Sequence, residues 1–412
     1  MTDVPPSRPR GLLPGLAVTE TVSWGICFYG FAVLLPPMER ELGWSRATLV
    51  GAFTIAVIVS GFAAFPVGRW LDRGSARVLM TTGSVLATVG VLAWSQSRTV
   101  PAFYGSWLLI GIAMGLVLYE PAQVVLIKQF GRRATWAITT LTLVAGFAST
   151  IFQPTIAALQ DARGWRSALT ICAIGLGVVT TTIHALVLPG RPVRDPAPRA
   201  VTATSVADTG PPPMAVRDPA MVGLTIAFTL SIGAMSAAIV HLIPYLTDHG
   251  WTDLHAAFAA GLIGATQVAA RVVFGLFAGR VAAARLALLV LLVPVGGIVV
   301  LATSNGAATA WLAVALLGIG QGTTTLLRPL VLSRRLDPSV YGRGAAQSAA
   351  WSTIARAVAP LLLAGAAGLG AEGYPIGFAV FAAMGIAGAI VAHRSLLIPP
   401  PVLLPAYADT GQ

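Results

Sequence analysis

Charge is what this sequence has least of. Only 10% of its 412 residues are Asp, Glu, Lys or Arg, against about 25% in soluble domains. That scarcity, with 56% hydrophobic residues and a mean hydropathy of +0.80, excludes an ordinary soluble globule and points to an integral membrane protein. Acid is scarcer than base, 15 residues against 26, for a net charge of +11. In a soluble chain such an excess would suggest nucleic acid or anionic lipid. Here its placement along the chain decides the matter, and no nucleic-acid partner is needed. Cysteine is nearly absent, and Cys27 and Cys172 both lie inside apolar runs, as packing residues rather than a disulfide or metal site. His184, His241, His249, His255 and His393 are scattered, with no metal-ligand spacing and no nucleophile–base pair. No metal, no cofactor and no enzyme chemistry is therefore expected. A cleavable leader is not expected either, because the first apolar stretch is too long, carries Glu20 and lacks a small-x-small site.

What is abundant is apolar run. Stretches of about 20 residues recur twelve times, at 12–37, 47–67, 77–96, 101–128, 135–159, 165–188, 220–246, 254–279, 284–303, 307–332, 345–369 and 373–396. The pattern predicts an all-α membrane protein of twelve transmembrane helices in two pseudo-symmetric six-helix bundles, 1–188 and 220–396. Between them, 189–219 is rich in Pro, Arg, Asp, Ser and Thr and reads as a flexible cytoplasmic linker; 397–412 is a Pro-rich, disordered cytoplasmic tail. With the amino terminus inside, the cytoplasmic segments hold 18 of the 26 basic residues and the outer loops only Arg40, Arg46, Arg98, Arg163 and Arg166. The positive-inside rule then places both termini in the cytoplasm, in a cell (inner) membrane. Arg271, Arg328 and Arg356 remain inside spans.

The halves echo each other. LLIGIAMG at 108–115 in the fourth span matches ALLGIGQG at 315–322 in the tenth, and GRR at 131–133 is followed in the other half by GRG at 342–344. Parallel six-helix repeats with a mid-membrane site between them are the design of a rocking carrier. The spacing Gly111/Gly115 and Gly318/Gly322 reads as close helix packing, not as a phosphate loop.

The loop after the second span, GRWLDRGSAR, resembles the signature loop of the major facilitator superfamily, with Gly68, Asp72, Arg73, Gly74 and Arg77 in place. The resemblance implies the major facilitator fold and a cytoplasmic gate latch in which Asp72 accepts from a helix end or an arginine. The bland alternative is a tight charged turn. The corresponding GLFAGRVAAAR, 275–285, has no acid. ERELGWSRATL at 39–49, KQFGRRATWAITTLTLVAGFAST at 128–150, GWR at 164–166 and HLIPYLTDHGW at 241–251 together resemble the monocarboxylate porter and oxalate:formate antiporter branch. That branch implies a carboxylate-binding arginine in the eighth span, where Arg271 stands. Many eukaryotic members have an Asp four residues earlier; this chain has Gln267. Antiporters of the branch carry a second cation in the eleventh span, near Arg356.

An arginine at bilayer depth costs about 2.5–3.5 kcal/mol even on the gentlest insertion scale, and no acid lies within a helical turn of Arg271. The candidate reading is that a carboxylate substrate completes its charge balance, held in a two-pronged contact that lysine cannot reproduce. The alternative is a structural arginine bonded to backbone carbonyls. Arg356 is a second anchor or the balance of a buried Glu, and Pro360 frees its carbonyl in mid-span. Glu120, in LYEPAQ, is the first candidate for proton coupling, with a permanent tie to Arg328 as the alternative. Glu20 reads as structural. Trp24, Tyr29, Tyr119 and Gln321 are candidate cavity-lining groups, and His241, with Tyr245 one turn on, a candidate outer gate or substrate contact.

These readings converge on a secondary transporter of small organic anions, a proton-coupled monocarboxylate carrier working by alternating access. Its partners are a small organic acid, protons and the lipid bilayer, with no obligate protein partner. Anion exchange using Arg271 and Arg356 together, or proton-driven drug efflux, are alternatives on the same fold. A membrane sensor or receptor is a different class, and the 31 residues 189–219 are too short and Pro-rich for a signalling domain.

Overall fold

The structure, a computed structural model, describes residues 11–190, 218–277, 280–303, 306–336, 338–370 and 372–399. Most of the expected linker 189–219 and tail 397–412 lies outside the described residues, as do the side chains of Asp72 and Arg73 in the signature loop. Every regular element among the described residues is helical. The first half comprises α1 Leu12–Leu42, α2 Arg46–Arg73, α3 Ala76–Gln96, α4 Val100–Val117, α5 Tyr119–Phe130, α6 Ala134–Ala145, α7 Ala148–Arg163 and α8 Trp165–Val187. The second comprises α9 Pro219–Asp248, α10 Asp253–Phe277, α11 Ala283–Thr303, α12 Ala307–Arg335, α13 Pro338–Ala367 and α14 Gly373–Leu397.

Eleven described stretches are long and apolar enough to cross a bilayer, not twelve. The difference lies in Val100–Arg163, whose 64 residues far exceed the ~20 of one crossing. A tight helical turn at Gly131–Arg133, entered through Gly131 at φ 49°, divides it between α5 and α6. Both the fourth and the fifth crossing lie in it, and the chain makes twelve passes. The protein is thus a multi-pass membrane protein, and the face that carries Leu188, Asp218 and Ile398 is called here the terminal face. There Arg335 is paired with Asp218 at 2.8 Å and donates to the Ile398 carbonyl at 2.6 Å, and Arg77 Nε donates to the Leu188 carbonyl at 2.9 Å.

Glycine sets the closest approaches inside each half. A Cβ at Gly111 would stand 2.6 Å from the Ala56 carbonyl of α2, and one at Gly115 would collide with Ala63. In the second half, a Cβ at Gly318 would strike Thr266 and one at Gly322 the backbone of Gln267, both on α10. The repeated motif therefore does the same work twice, seating the fourth span on the second and the tenth on the eighth. Between the halves α2 packs on α13 and α7 on α10, with Thr54 Oγ1 donating to the Ala357 carbonyl and Thr150 Oγ1 to the Gly261 carbonyl.

Candidate functional site: a cationic cavity between the halves

Three interruptions of helical geometry meet at mid-molecule. In α1, Trp24–Tyr29 widens into a π-helical turn, a feature found disproportionately at functional sites. Between α4 and α5, Leu118 adopts extended backbone (φ −81°, ψ −164°), because Pro121 has no N–H to return to the preceding turn. Glu120 thereby falls in the first turn of a new helix, where a carboxylate suits the helix dipole. Between α6 and α7 the chain turns at Gly146–Phe147, which leaves backbone carbonyls open to side chains from the other half.

These interruptions surround a cavity of about 520 Å³. Trp24, Tyr29, Tyr119, Gln267, Arg271, Gln321, Arg356 and Glu120 all line it, joined by Arg328 and by Gln123, Ser60, Thr324 and Thr325, which the sequence did not single out. Among the described residues the lining carries three arginines against one acid, Arg271, Arg328 and Arg356 against Glu120, a formal excess of +2. Glu20 is not among the described lining residues and lies behind the wall. Its side chain is fully buried and neither carboxyl oxygen has a hydrogen-bond partner among the described residues.

Arg271 reaches across the interface. Its Nη1 donates to the Thr142 carbonyl of α6 at 2.7 Å and its Nη2 to Gln267 Oε1 at 3.2 Å, while Gln267 Nε2 donates to the Gly146 carbonyl at 2.9 Å. Of the five N–H donors of a guanidinium, these two bonds leave three, and Nε is buried without a partner. No described carboxylate lies within 4 Å of Arg271 or Arg356. No ion pair within 4 Å joins Glu120 to another described residue, and Arg328 Nη2 donates to the Ala345 carbonyl at 3.3 Å. The carbonyl of Arg356, freed by Pro360, is taken by Ser236 Oγ of α9 at 2.9 Å.

His241 is the exception among the candidate residues. It lies outside the cavity lining and is fully buried, with Nε2 against the Pro360 carbonyl and Nδ1 against Tyr374 Oη, both at 2.9 Å. Since a carbonyl only accepts, Nε2–H donates and Nδ1 accepts from Tyr374. Both ring nitrogens are used, which removes His241 from direct substrate contact. Tyr245 likewise turns away, donating to the Leu301 carbonyl at 2.9 Å.

His241 belongs to a clasp on the face opposite the termini. Tyr374 accepts from Arg46 at 2.6 Å, and Arg46 of α2 also pairs with Glu39 at 2.6 Å and, across the halves, with Asp248 at 2.8 Å. Arg40 pairs with Asp253, again across the halves, at 2.5 Å. The cavity lining runs the other way, through Arg328 to Leu332 and Ala345 near the terminal face. The halves are therefore pinned together beyond the cavity on one face and separated by it toward the other.

Twelve passes, a repeated motif and a cavity between two bundles describe a carrier, and comparison with known proteins names its kind. Residues 21–360 match the sequence profile of the Major Facilitator Superfamily. The chain belongs to this superfamily. Among solved structures, this superfamily member resembles the nucleoside transporter NupG (TM-score 0.76, 13% identity, 94% of this chain and 100% of that one). It also resembles a bacterial homologue of the human lysosomal transporter Spinster (TM-score 0.75, 14% identity, 93% and 96%). At such identities the likeness is one of fold. Among curated sequences it is 30% identical to human monocarboxylate transporter 11 over 284 residues, 65% of this chain and 54% of the relative. It is 26% identical to monocarboxylate transporter 13 of Bos taurus over 256 residues, 61% and 56%. The aligned part is about half the length of these relatives. Membership of this superfamily makes the protein a membrane transporter, not an enzyme.

Proposed function

We propose that this transporter carries small monocarboxylates, coupled to protons, by rocking of its two halves about the cavity. The observation that carries the proposal is the formal charge of +2 on a lining in which neither Arg271 nor Arg356 meets a carboxylate. Burying unbalanced guanidinium groups is costly, and an anion from solution would neutralise them. The names of the curated relatives agree with this substrate class.

In this reading Arg271 offers its open Nη donors to the carboxylate, two-pronged, while Gln267 and the Thr142 carbonyl keep the guanidinium plane aimed. Gln321, Tyr29 and Tyr119 complete the polar lining, and Arg356 stands ready for a second acceptor group. Glu120, exposed to the same cavity and unpaired, takes the coupling proton. Neutralising it removes the one negative charge among the described lining residues, so proton and anion favour each other's binding. Breaking the Arg46–Asp248 and Arg40–Asp253 pairs opens the opposite face, while the signature loop Gly68, Asp72, Arg73, Gly74 and Arg77 latches the terminal, cytoplasmic face in its turn. The orientation follows the positive-inside count, with the protein in the cell (inner) membrane.

Anion exchange is the second reading, favoured by the same two arginines, neither of which has a described carboxylate within 4 Å. Counterflow of labelled monocarboxylate in proteoliposomes, with and without a pH gradient, separates the two. Symport predicts accumulation driven by an inward proton gradient; exchange predicts counterflow indifferent to it. Carboxylate uptake unaltered in Arg271→Ala would refute the site.

A further inference from the structure

The aromatic residues among the described cavity lining, Trp24, Phe28, Tyr29 and Tyr119, all come from the first half, across the interface from the helix that carries Arg271. Within the π-helical turn of α1, Gly25, Ile26 and Cys27 are buried, while Trp24, Phe28 and Tyr29 stay partly exposed and line the cavity. The turn thus selects its aromatic positions for the lumen. Tyr119 joins them from the first residue of α5, its ring centroid 5.1 Å from that of Trp24. Trp24 and Phe28 meet edge-on at 5.2 Å, and Phe28 and Tyr29 at 5.3 Å. Two of the three helical interruptions, at Trp24–Tyr29 and at Leu118, therefore deliver ring surface to the lumen, whereas the second half contributes Arg271, Gln267, Gln321 and Arg356.

A two- or three-carbon acid needs neither this wall nor this volume. The ~520 Å³ falls among sites of roughly 300–1,000 Å³ that enclose drug-sized ligands. We infer that the substrates are monocarboxylates bearing an aromatic ring, with the carboxylate on Arg271 and the ring against the Trp24–Tyr119 wall. The inference rests on the carboxylate reading of Arg271 and names the class of acid within it. Offset or edge-on ring packing accounts for the selectivity, since such pairs are favoured beyond the apolar area they bury.

The test uses the full chain, purified and reconstituted, with 3-phenyllactate and lactate as probes that differ only by the ring, and 2-phenylethanol as a ring without the carboxylate. Wild-type protein is expected to bind 3-phenyllactate about tenfold more tightly than lactate, the size of one good ring pair. Trp24→Leu should bring that ratio close to one, and Trp24→Phe should keep most of it. Equal affinities for the two acids in the wild type overturn the aromatic class but leave the carboxylate reading standing. A ratio unchanged by Trp24→Leu, in protein that still elutes as a folded species, overturns the placement of the ring. Binding of 2-phenylethanol as tight as that of 3-phenyllactate overturns the carboxylate reading itself.

Discussion

Arg271 is bonded to a backbone carbonyl and a glutamine, so it meets part of the structural description of a buried arginine and leaves part unmet. The unmet part is charge: a carbonyl accepts a hydrogen bond without supplying the negative unit that a desolvated guanidinium needs. Arg271→Lys keeps the charge and loses the fork; carboxylate uptake is expected to fall at least about tenfold, the order of one charge-assisted hydrogen bond, with membrane insertion unchanged. Glu120→Gln should preserve counterflow and abolish uptake driven by a pH gradient, since the amide cannot carry the proton; unchanged driven uptake would remove the assignment. Outside the spans, the Arg335 guanidinium beside Asp218 holds its carboxyl below the usual carboxylate range. A depressed folded value means this pair stabilises above the unfolded value of roughly 3.9 and ceases to as pH falls through the folded one. Asp218→Asn keeps an acceptor for the Ala220 N–H that caps α9 but should lower the melting temperature at pH 7 and flatten its acid dependence. At this scale the sequence revealed what is rare: arginines and a glutamate in oil announce themselves. For His241 the sequence offered an outer gate or a substrate contact, and its bonds to Tyr374 and the Pro360 carbonyl set it beside the clasp rather than in the cavity lining, a choice no local pattern could make. Ser236 and the Thr142 carbonyl were invisible because their partners lie on distant segments.

The elements tell a different story, in which the breaks matter more than the helices. Pro360 pointed correctly to a freed carbonyl at Arg356, but the donor that satisfies it, Ser236, comes from α9. Ser236→Ala leaves that carbonyl unsatisfied in mid-membrane and should cost about 1–3 kcal/mol, read as a lower melting temperature with a displaced Arg356. Pro121 in LYEPAQ likewise marks the division of α4 from α5, whereas no residue pattern foretold the π-helical turn at Trp24–Tyr29. The glycine motifs were legible because spacing alone states the contact. Gly322 lies on the backbone of Gln267, the residue that aims Arg271. Gly322→Leu should therefore destabilise by roughly 1–3 kcal/mol through overpacking and weaken substrate binding as α10 is pushed away.

For the molecule as a whole, the twelve passes could be read from apolar run length, and the repeat of LLIGIAMG in ALLGIGQG foretold two equivalent bundles. What run length could not reveal is the state of the carrier, because that depends on which ends of the bundles touch. The opposite face is held by Arg46 and Arg40 reaching Asp248 and Asp253, pairs some 200 residues apart that no local pattern couples. Asp248→Asn should favour opening there, seen as roughly two- to fivefold faster alkylation of a cysteine placed at Ile239 from that side, the range an exposed ion pair commands. The account as a whole turns on one contact. Dipolar recoupling between a ¹³C-carboxylate acid and ¹⁵N-arginine in the reconstituted protein should detect a guanidinium–carboxylate contact that disappears in Arg271→Lys. A contact that survives that substitution, or no contact at saturating acid, would contradict it.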